Sequence, residues 1–176
     1  MKHYKIYYSI LALCIMLIFS SCKSYTFDKN DTYSDTVSSI ERINILKTAN
    51  LAVDAIENQD AAGVIKYTNF IKYLRYFDQD TYKYKTDLEI LNEFPDGNYV
   101  STSSINISKF TEVNKIPDDK FQEFIAVINS ANIDTSNIST LYEVSTKKDT
   151  HMYIIETKDN QYYLDFFYSE IYKMYK

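Results

Sequence analysis

The chain has 176 residues, of which 45% are hydrophobic and 24% are charged, a composition that excludes a disordered tail, a fibre and a polytopic membrane protein. It is long enough for one globular domain with its own hydrophobic core. The net charge is −5, and it becomes −7 (17 basic against 24 acidic residues) when Lys2 and Lys5 of a basic leader are left out, so we expect no nucleic-acid partner.

The first 22 residues have the three parts of an export signal. Basic residues lie near the N-terminus, an apolar run covers residues 10–19, and the small residues Ser20 and Ser21 precede Cys22. As a helix this run would be about 15 Å long, half of the ~30 Å hydrocarbon thickness of a bilayer. The run therefore favours a removable signal over a permanent transmembrane anchor.

The four residues that end at Cys22, FSSC, resemble the lipobox of bacterial lipoproteins. In that family signal peptidase II cuts before the cysteine, here between Ser21 and Cys22. The thiol then carries a diacylglycerol, and the new amino group is often acylated, for example with palmitate. The family prefers Leu, Val or Ile where this chain has Phe19, a departure that Bacteroidota-type signals ending in Ser-Cys tolerate. The resemblance implies a protein lipid-anchored in the bacterial cell envelope, in the outer membrane, facing the periplasm or the cell surface.

The cysteine count fits this interpretation. Cys14 lies in the apolar run, so the mature chain would contain Cys22 alone, and a thioether to lipid removes an otherwise unpaired thiol. The alternatives are a plain secretory signal that leaves Cys22 as a free thiol, and an uncleaved anchor. We expect a removed signal peptide (residues 1–21), a lipidated cysteine with a polar tether (residues 22–35) and one domain (residues 36–176).

The first half of the domain has helical patterns. Ser38 and Glu41 have capping-box spacing, which predicts a helix that buries Ile45, Ala49, Ala52, Val53 and Ile56. Asp60 is placed to cap a second helix, whose apolar stripe consists of Val64, Tyr67, Phe70, Ile71, Leu74 and Phe77. A third helix is expected around residues 86–94, before a Pro-Asp-Gly turn.

The second half favours strands. Residues 99–108 are rich in Ser, Thr, Ile and Val, and Pro117 is placed to begin a short helix. Three further strands, with hairpin-sized polar breaks between them, are predicted at residues 140–146, 151–157 and 161–168. This order predicts an α+β domain in which N-terminal helices pack on a C-terminal antiparallel sheet.

The order of elements resembles the NTF2-like (cystatin-like) α+β cone. Residues 52–67 look like the helix, acidic turn and second helix of that family, and residues 154–166 look like its closing hairpin. The family usually has Gly near Asn160 and Trp near Tyr162, and this chain has neither. The resemblance implies helices that cover a curved sheet, whose concave face can enclose a ligand.

The sequence lacks the residues that several classes of metal, phosphate-binding and catalytic site require. The mature chain contains one histidine, His151, so two-histidine and Cys/His zinc sites cannot form within one chain. Gly63 and Gly97 are isolated, which excludes a P-loop, and the sequence contains no G-x-S-x-G nucleophile motif. We therefore expect a protein with no cofactor, no metal and no enzymatic activity.

Carboxylates on the predicted strands are the remaining candidates for acid–base chemistry. Asp165 interrupts an apolar run, and Glu143 and Glu156 lie on the neighbouring predicted strands. If Asp165 and Glu156 faced a pocket, burial would raise their pKa values and make them possible acid–base groups. The simpler interpretation, which we favour, is that they mark the solvated face of a half-exposed sheet. A ligand-binding cone would place Tyr153, Tyr163 and Asp165 in its pocket.

An aromatic cluster between residues 67 and 84 is interleaved with Lys66, Lys72, Arg75, Lys83 and Lys85. Tyr73 and Tyr76 fall off the apolar stripe of the second helix, which makes them the candidates for a binding surface, and the basic residues would attract an acidic partner. The sequence thus predicts a membrane-anchored, non-enzymatic module that binds another envelope protein. The alternative is a domain that binds a small ligand or a glycan.

Overall fold

The structure is a computed structural model that describes residues 37–93, 109–147 and 150–176. Within these residues the helices are α1 (Ser39–Glu57), α2 (Ala61–Tyr67), α3 (Phe70–Phe77), α4 (Gln79–Tyr82), α5 (Asp87–Asn92), α6 (Asp118–Ser130) and α7 (Tyr168–Tyr175). The strands are β1 (Phe110–Lys115), β2 (Ile138–Thr146), β3 (His151–Thr157) and β4 (Tyr162–Leu164). Several predicted features lie outside the described residues: the signal peptide, the lipidated Cys22, the tether and the strand at residues 99–108.

Helix α1 begins where its capping residues predict. The Ser38 hydroxyl accepts a hydrogen bond from the backbone N–H of Glu41 (3.3 Å), and the Glu41 carboxylate accepts one from the N–H of Ser38 (3.3 Å). All five apolar residues predicted to face the core are buried: Ile45, Ala49, Ala52, Val53 and Ile56. Helix α5 starts in the same way, with a capping box between Thr86 and Glu89. The predicted helix after Ser38 and the helix predicted around residues 86–94 are both confirmed.

The second predicted helix is instead two helices, α2 and α3, separated at Thr68 and Asn69. Thr68 forms a parallel bridge with Leu164 of β4, and the backbone N–H of Asn69 donates to the carbonyl of Leu164 (3.4 Å). Because of this break, α3 does not continue the helix of α2 or its apolar stripe. Phe70 stays buried, but Phe77 at the end of α3 is 42% exposed, so the prediction that Phe77 belongs to the core is wrong.

The four strands form one antiparallel sheet in the order β1-β2-β3-β4. The predicted α+β class, with N-terminal helices packed on a C-terminal antiparallel sheet, is confirmed. The β3–β4 turn closes through the Thr157 N–H, which donates to the Gln161 carbonyl (2.9 Å), and Asn160 occupies the left-handed region at φ 59°. Strand β1 was not predicted. The strand predicted at residues 161–168 is too long, because β4 ends at Leu164 and α7 follows.

The sheet is covered on both faces. One core lies between the sheet and α1–α5 and includes Tyr142, Val144, Ile154 and Leu164. The other lies between the sheet and α6 and α7 and includes Leu141, Ile155, Phe167 and Ile171. Adjacent strand residues thus enter opposite cores, as the two-residue period of a strand requires. The NTF2-like cone stays a prediction. Among the described residues, no helix has both the length and the apolar character to span a bilayer.

Candidate functional site

Asp165 follows β4 and is 3% exposed, so the interpretation of this carboxylate as solvated is wrong. Its Oδ1 accepts hydrogen bonds from the backbone N–H groups of Phe167 (3.2 Å) and Tyr168 (3.0 Å), and its Oδ2 accepts one from Ser169 (2.7 Å). These are the free amides at the start of α7, where a negative charge also favours the helix dipole. Asp165 therefore acts as a helix cap at the point where the chain passes from β4 to α7.

Asn69 connects this cap to the α2–α3 break. Its side-chain amide donates to Asp165 Oδ1, and its Oδ1 accepts from the N–H of Phe166 (2.6 Å). Nearby, the ammonium of Lys72 lies 4.2 Å from the centroid of the Tyr168 ring and contacts its hydroxyl. Burial lowers the pKa of Lys72, and the charge of Asp165 opposes that shift. The carboxylate of Asp165 is thus bound on both oxygens by groups of the fold.

The two tyrosines predicted to share a pocket with Asp165 are half-buried in the sheet. The Tyr153 side chain packs against the core under α6 and α7, and Tyr163 pairs with Ile155 across β3 and β4. The backbone N–H of Asp165 donates to the Tyr153 carbonyl (2.8 Å). These residues are therefore neighbours, but the Asp165 carboxylate is directed to Asn69 and to the amides of α7.

Glu156 takes part in a separate network, on the face of the sheet that α1 covers. It accepts hydrogen bonds from the hydroxyls of Tyr142 (3.0 Å) and Tyr162 (3.0 Å), and the Tyr142 hydroxyl also contacts Glu41 of α1. Burial and the hydrogen bond to Glu156 raise the pKa of Tyr162 to about 12, and burial with both glutamates raises the pKa of Tyr142 well above its ordinary value. The Tyr142 hydroxyl thus joins α1 to the sheet, and Glu156 accepts from tyrosines of the sheet and does not pair with Asp165.

Glu143 and His151 contact each other on the face of the sheet that carries α6 and α7. Nδ1 of His151 lies 2.7 Å from Oε1 of Glu143, which is buried. The register places Glu143 opposite Tyr153 and His151 opposite Ser145, so the pair is diagonal across β2 and β3. A carboxylate at Nδ1 fixes the orientation of the imidazole. The sequence contains both residues, but their pairing follows from the strand register.

Aromatic residues of α3 and α7 form a surface that we call the aromatic ridge: Tyr73, Tyr76, Phe77 and Tyr175. The ring centroid of Phe77 lies 4.6 Å from that of Tyr73 and 5.0 Å from that of Tyr76. Burial and the neighbouring Tyr175 raise the pKa of the Tyr76 hydroxyl. Tyr73 and Tyr76, the predicted binding residues, are half-buried, whereas Phe77 and Tyr175 are exposed. Sequence reasoning missed Tyr175, although its spacing of four from Ile171 and eight from Phe167 is helical.

The basic residues beside the ridge have partners within the chain. The guanidinium of Arg75 lies 2.6 Å from the carboxylate of Asp87, and Lys85 pairs with Glu93. The ammonium of Lys83 lies over the ring of Tyr84. Much of this positive charge is therefore compensated locally, which weakens the expectation of an acidic partner.

Among the residues that the structure describes, no group of three or more His, Cys, Asp or Glu side chains is placed to hold a metal ion. No protein-family model matches the sequence, and no curated protein or solved structure is significantly similar to it.

Proposed function

We propose that this chain is a lipid-anchored, non-enzymatic binding module of the bacterial cell envelope. It is attached to a membrane through Cys22 and binds another envelope protein through the aromatic ridge. The exposed rings of Phe77 and Tyr175, held in place by Tyr73 and Tyr76, are the observation that carries the binding role.

The ridge has the properties of a protein-binding surface. Aromatic side chains are enriched at the buried centre of interfaces, and Tyr supplies a large contact area with few rotatable bonds. Tyr73 packs against both cores, so the base of the ridge belongs to the folded domain. Its rings contact one another, which restricts their rotamers before a partner arrives and lowers the entropy lost on binding.

The titratable groups of the sheet support a non-enzymatic role. Asp165 caps α7, Glu156 accepts from two tyrosines, and Glu143 pairs with His151. Each of these carboxylates has a role in holding the fold together, which accounts for its burial without catalysis.

Site-specific crosslinking tests the binding role. A photoreactive phenylalanine placed at Phe77 of the full chain in its native membrane should give a discrete adduct, because exposed ring edges there would contact the partner. The matched control is the same photoreactive residue at Leu88 on α5, which is also an exposed apolar position. Tyr175→Ser should weaken the Phe77 adduct. Equal adducts at both positions, or none at Phe77, would contradict the proposal.

Cys22→Ala tests the anchor. The variant should stay unlipidated, with its signal uncleaved by signal peptidase II, whereas the unchanged chain should lose residues 1–21 and gain acyl chains. Intact-mass measurement and detergent-phase partition separate the two forms. Membrane retention of the variant with normal processing would show that the lipobox interpretation is wrong.

Binding of a small ligand or a glycan is the second candidate. The observation that favours it is that Tyr153, half-buried, lies two residues from His151 on the same strand face, opposite Glu143. Aromatic rings beside hydrogen-bonding groups suit a sugar ring. Saturation-transfer NMR with envelope glycans should then report contacts that Tyr153→Ala removes. Contacts that persist in this variant would show that the glycan does not bind at Tyr153.

A further inference from the structure

The outer face of α1 carries two exposed isoleucines near the start of the helix. Ile40 is 75% exposed and Ile43 is 64% exposed. With Lys47 they share one helix face, at the i, i+3 and i+7 positions, opposite the buried Ile45 and Ala49. This face is therefore apolar in its first turn and basic one turn later.

The charges of α1 are arranged along its length. Glu41, the acidic residue of the first turn, accepts from the N–H of Ser38 and contacts the Tyr142 hydroxyl, which directs its carboxylate toward the sheet. The next acidic residues, Asp54 and Glu57, come about 20–25 Å further along the helix from Ile40. The N-terminal end of the outer face thus combines apolar area with positive charge.

This end of α1 is also the part of the described domain that is covalently nearest to Cys22. Fourteen residues separate Cys22 from Val37, and that length of chain spans at most about 50 Å when fully extended. A contact between α1 and a membrane that holds Cys22 is therefore intramolecular, with an effective concentration on the order of millimolar. A tether of this length strengthens even a small contact with the membrane, because the second contact is intramolecular.

We infer that Ile40, Ile43 and Lys47 form a membrane-docking surface, and that its occupant is the bilayer that holds the acyl chains of Cys22. The inference rests on the proposed lipid anchor. The isoleucines enter the boundary between headgroups and acyl chains, and Lys47 contacts lipid phosphate. Docking at this end keeps Asp54 and Glu57 away from anionic headgroups, and it leaves α7, on the other face of the sheet, turned away from the membrane.

The test uses the lipidated full chain in vesicles of phosphatidylethanolamine and phosphatidylglycerol. Once Cys14 is removed with the signal and Cys22 is in a thioether, an introduced cysteine is the sole thiol. Ile40→Cys is labelled with an environment-sensitive fluorophore. Met174→Cys is the matched control, because Met174 is 62% exposed and lies on α7. Spin-labelled lipids quench any probe that enters the bilayer.

We expect a blue shift and strong quenching for the probe at position 40, and neither for the probe at position 174. Adding Ile43→Ser should lower the ratio of docked to undocked protein about tenfold, the value of burying one aliphatic side chain. Equal quenching at both positions, or none at position 40, in protein whose mass shows acylation overturns the docking surface alone. A chain without acyl mass that fails to float with vesicles overturns the anchor and the docking surface together. A concentration-dependent blue shift in detergent without bilayer assigns the face to a second copy of this chain and overturns the inference.

Discussion

Replacing Asp165 by Asn should destabilise the domain strongly. The substitution keeps the shape of the side chain but turns one acceptor oxygen into an NH2 group. That group would face an N–H donor, because Oδ1 accepts from Asn69, Phe167 and Tyr168, and Oδ2 accepts from Ser169. Loss of a helix cap costs about 0.5–2 kcal/mol, and a hydrogen bond to a charged group contributes about 1.5–3 kcal/mol. Since these contributions overlap, we expect the free energy of unfolding to fall by about 2–4 kcal/mol.

Urea denaturation of residues 23–176, followed by far-ultraviolet circular dichroism, measures this change. Asp118→Asn is the control, because Asp118 is also in the first turn of a helix, its side chain is 80% exposed, and it lies 3.5 Å from Lys115. Removing that exposed charge should cost less than about 0.5 kcal/mol. If Asp165→Asn behaves like Asp118→Asn, then the carboxylate of Asp165 does not hold α7, and the argument for a structural cap is refuted.

Three further predictions concern packing and pH. Gly63→Ala should destabilise the protein by about 1–3 kcal/mol, despite the better helix propensity of Ala, because the added Cβ would lie 2.6 Å from Cβ of Ala55; a raised urea midpoint would contradict this. Leu164→Ala should cost about 2–5 kcal/mol in the same assay, because Leu164 is fully buried, and a loss below about 0.5 kcal/mol would place it outside the core. Tyr162 should titrate at about 12 in the folded protein, because burial raises its pKa. Since the folded pKa is the higher one, the stability that Tyr162 contributes is complete below pH ~10 and is lost as the pH rises toward the folded value. Tyrosinate absorbance checks this, and Glu156→Gln should shift the transition to lower pH.

The helices were predictable to the extent that their signals are local. The capping boxes at Ser38 and Thr86 act within three residues, and the apolar period of α1 reports one buried face. The break between α2 and α3 has no such signal. Thr68 ends α2 because it pairs with Leu164, a residue of the last strand, and this long-range pairing overrides a continuous helical pattern.

The candidate sites divide in the same way. The aromatic character of the ridge was visible in the sequence, which predicted Tyr73 and Tyr76 as candidates for a binding surface; both are half-buried in the structure. Which rings protrude depends on where α3 ends and on how α7 packs against it, so Phe77 and Tyr175 emerged from the structure alone.

By itself the sequence determined the fold class, the capping box at the start of α1 and the positions of β2 and β3, and it predicts an export signal. These features depend on composition, on spacing within a few residues, or on the two-residue alternation of a strand. Whether the carboxylates face solvent or accept hydrogen bonds within the fold was decided by the tertiary structure alone. The local sequence around an aspartate beside aromatic residues is the same whether its side chain faces water or caps a helix. At Asp165 the difference comes from Asn69, 96 residues earlier in the chain, and from a turn whose three backbone N–H groups donate to the same side chain.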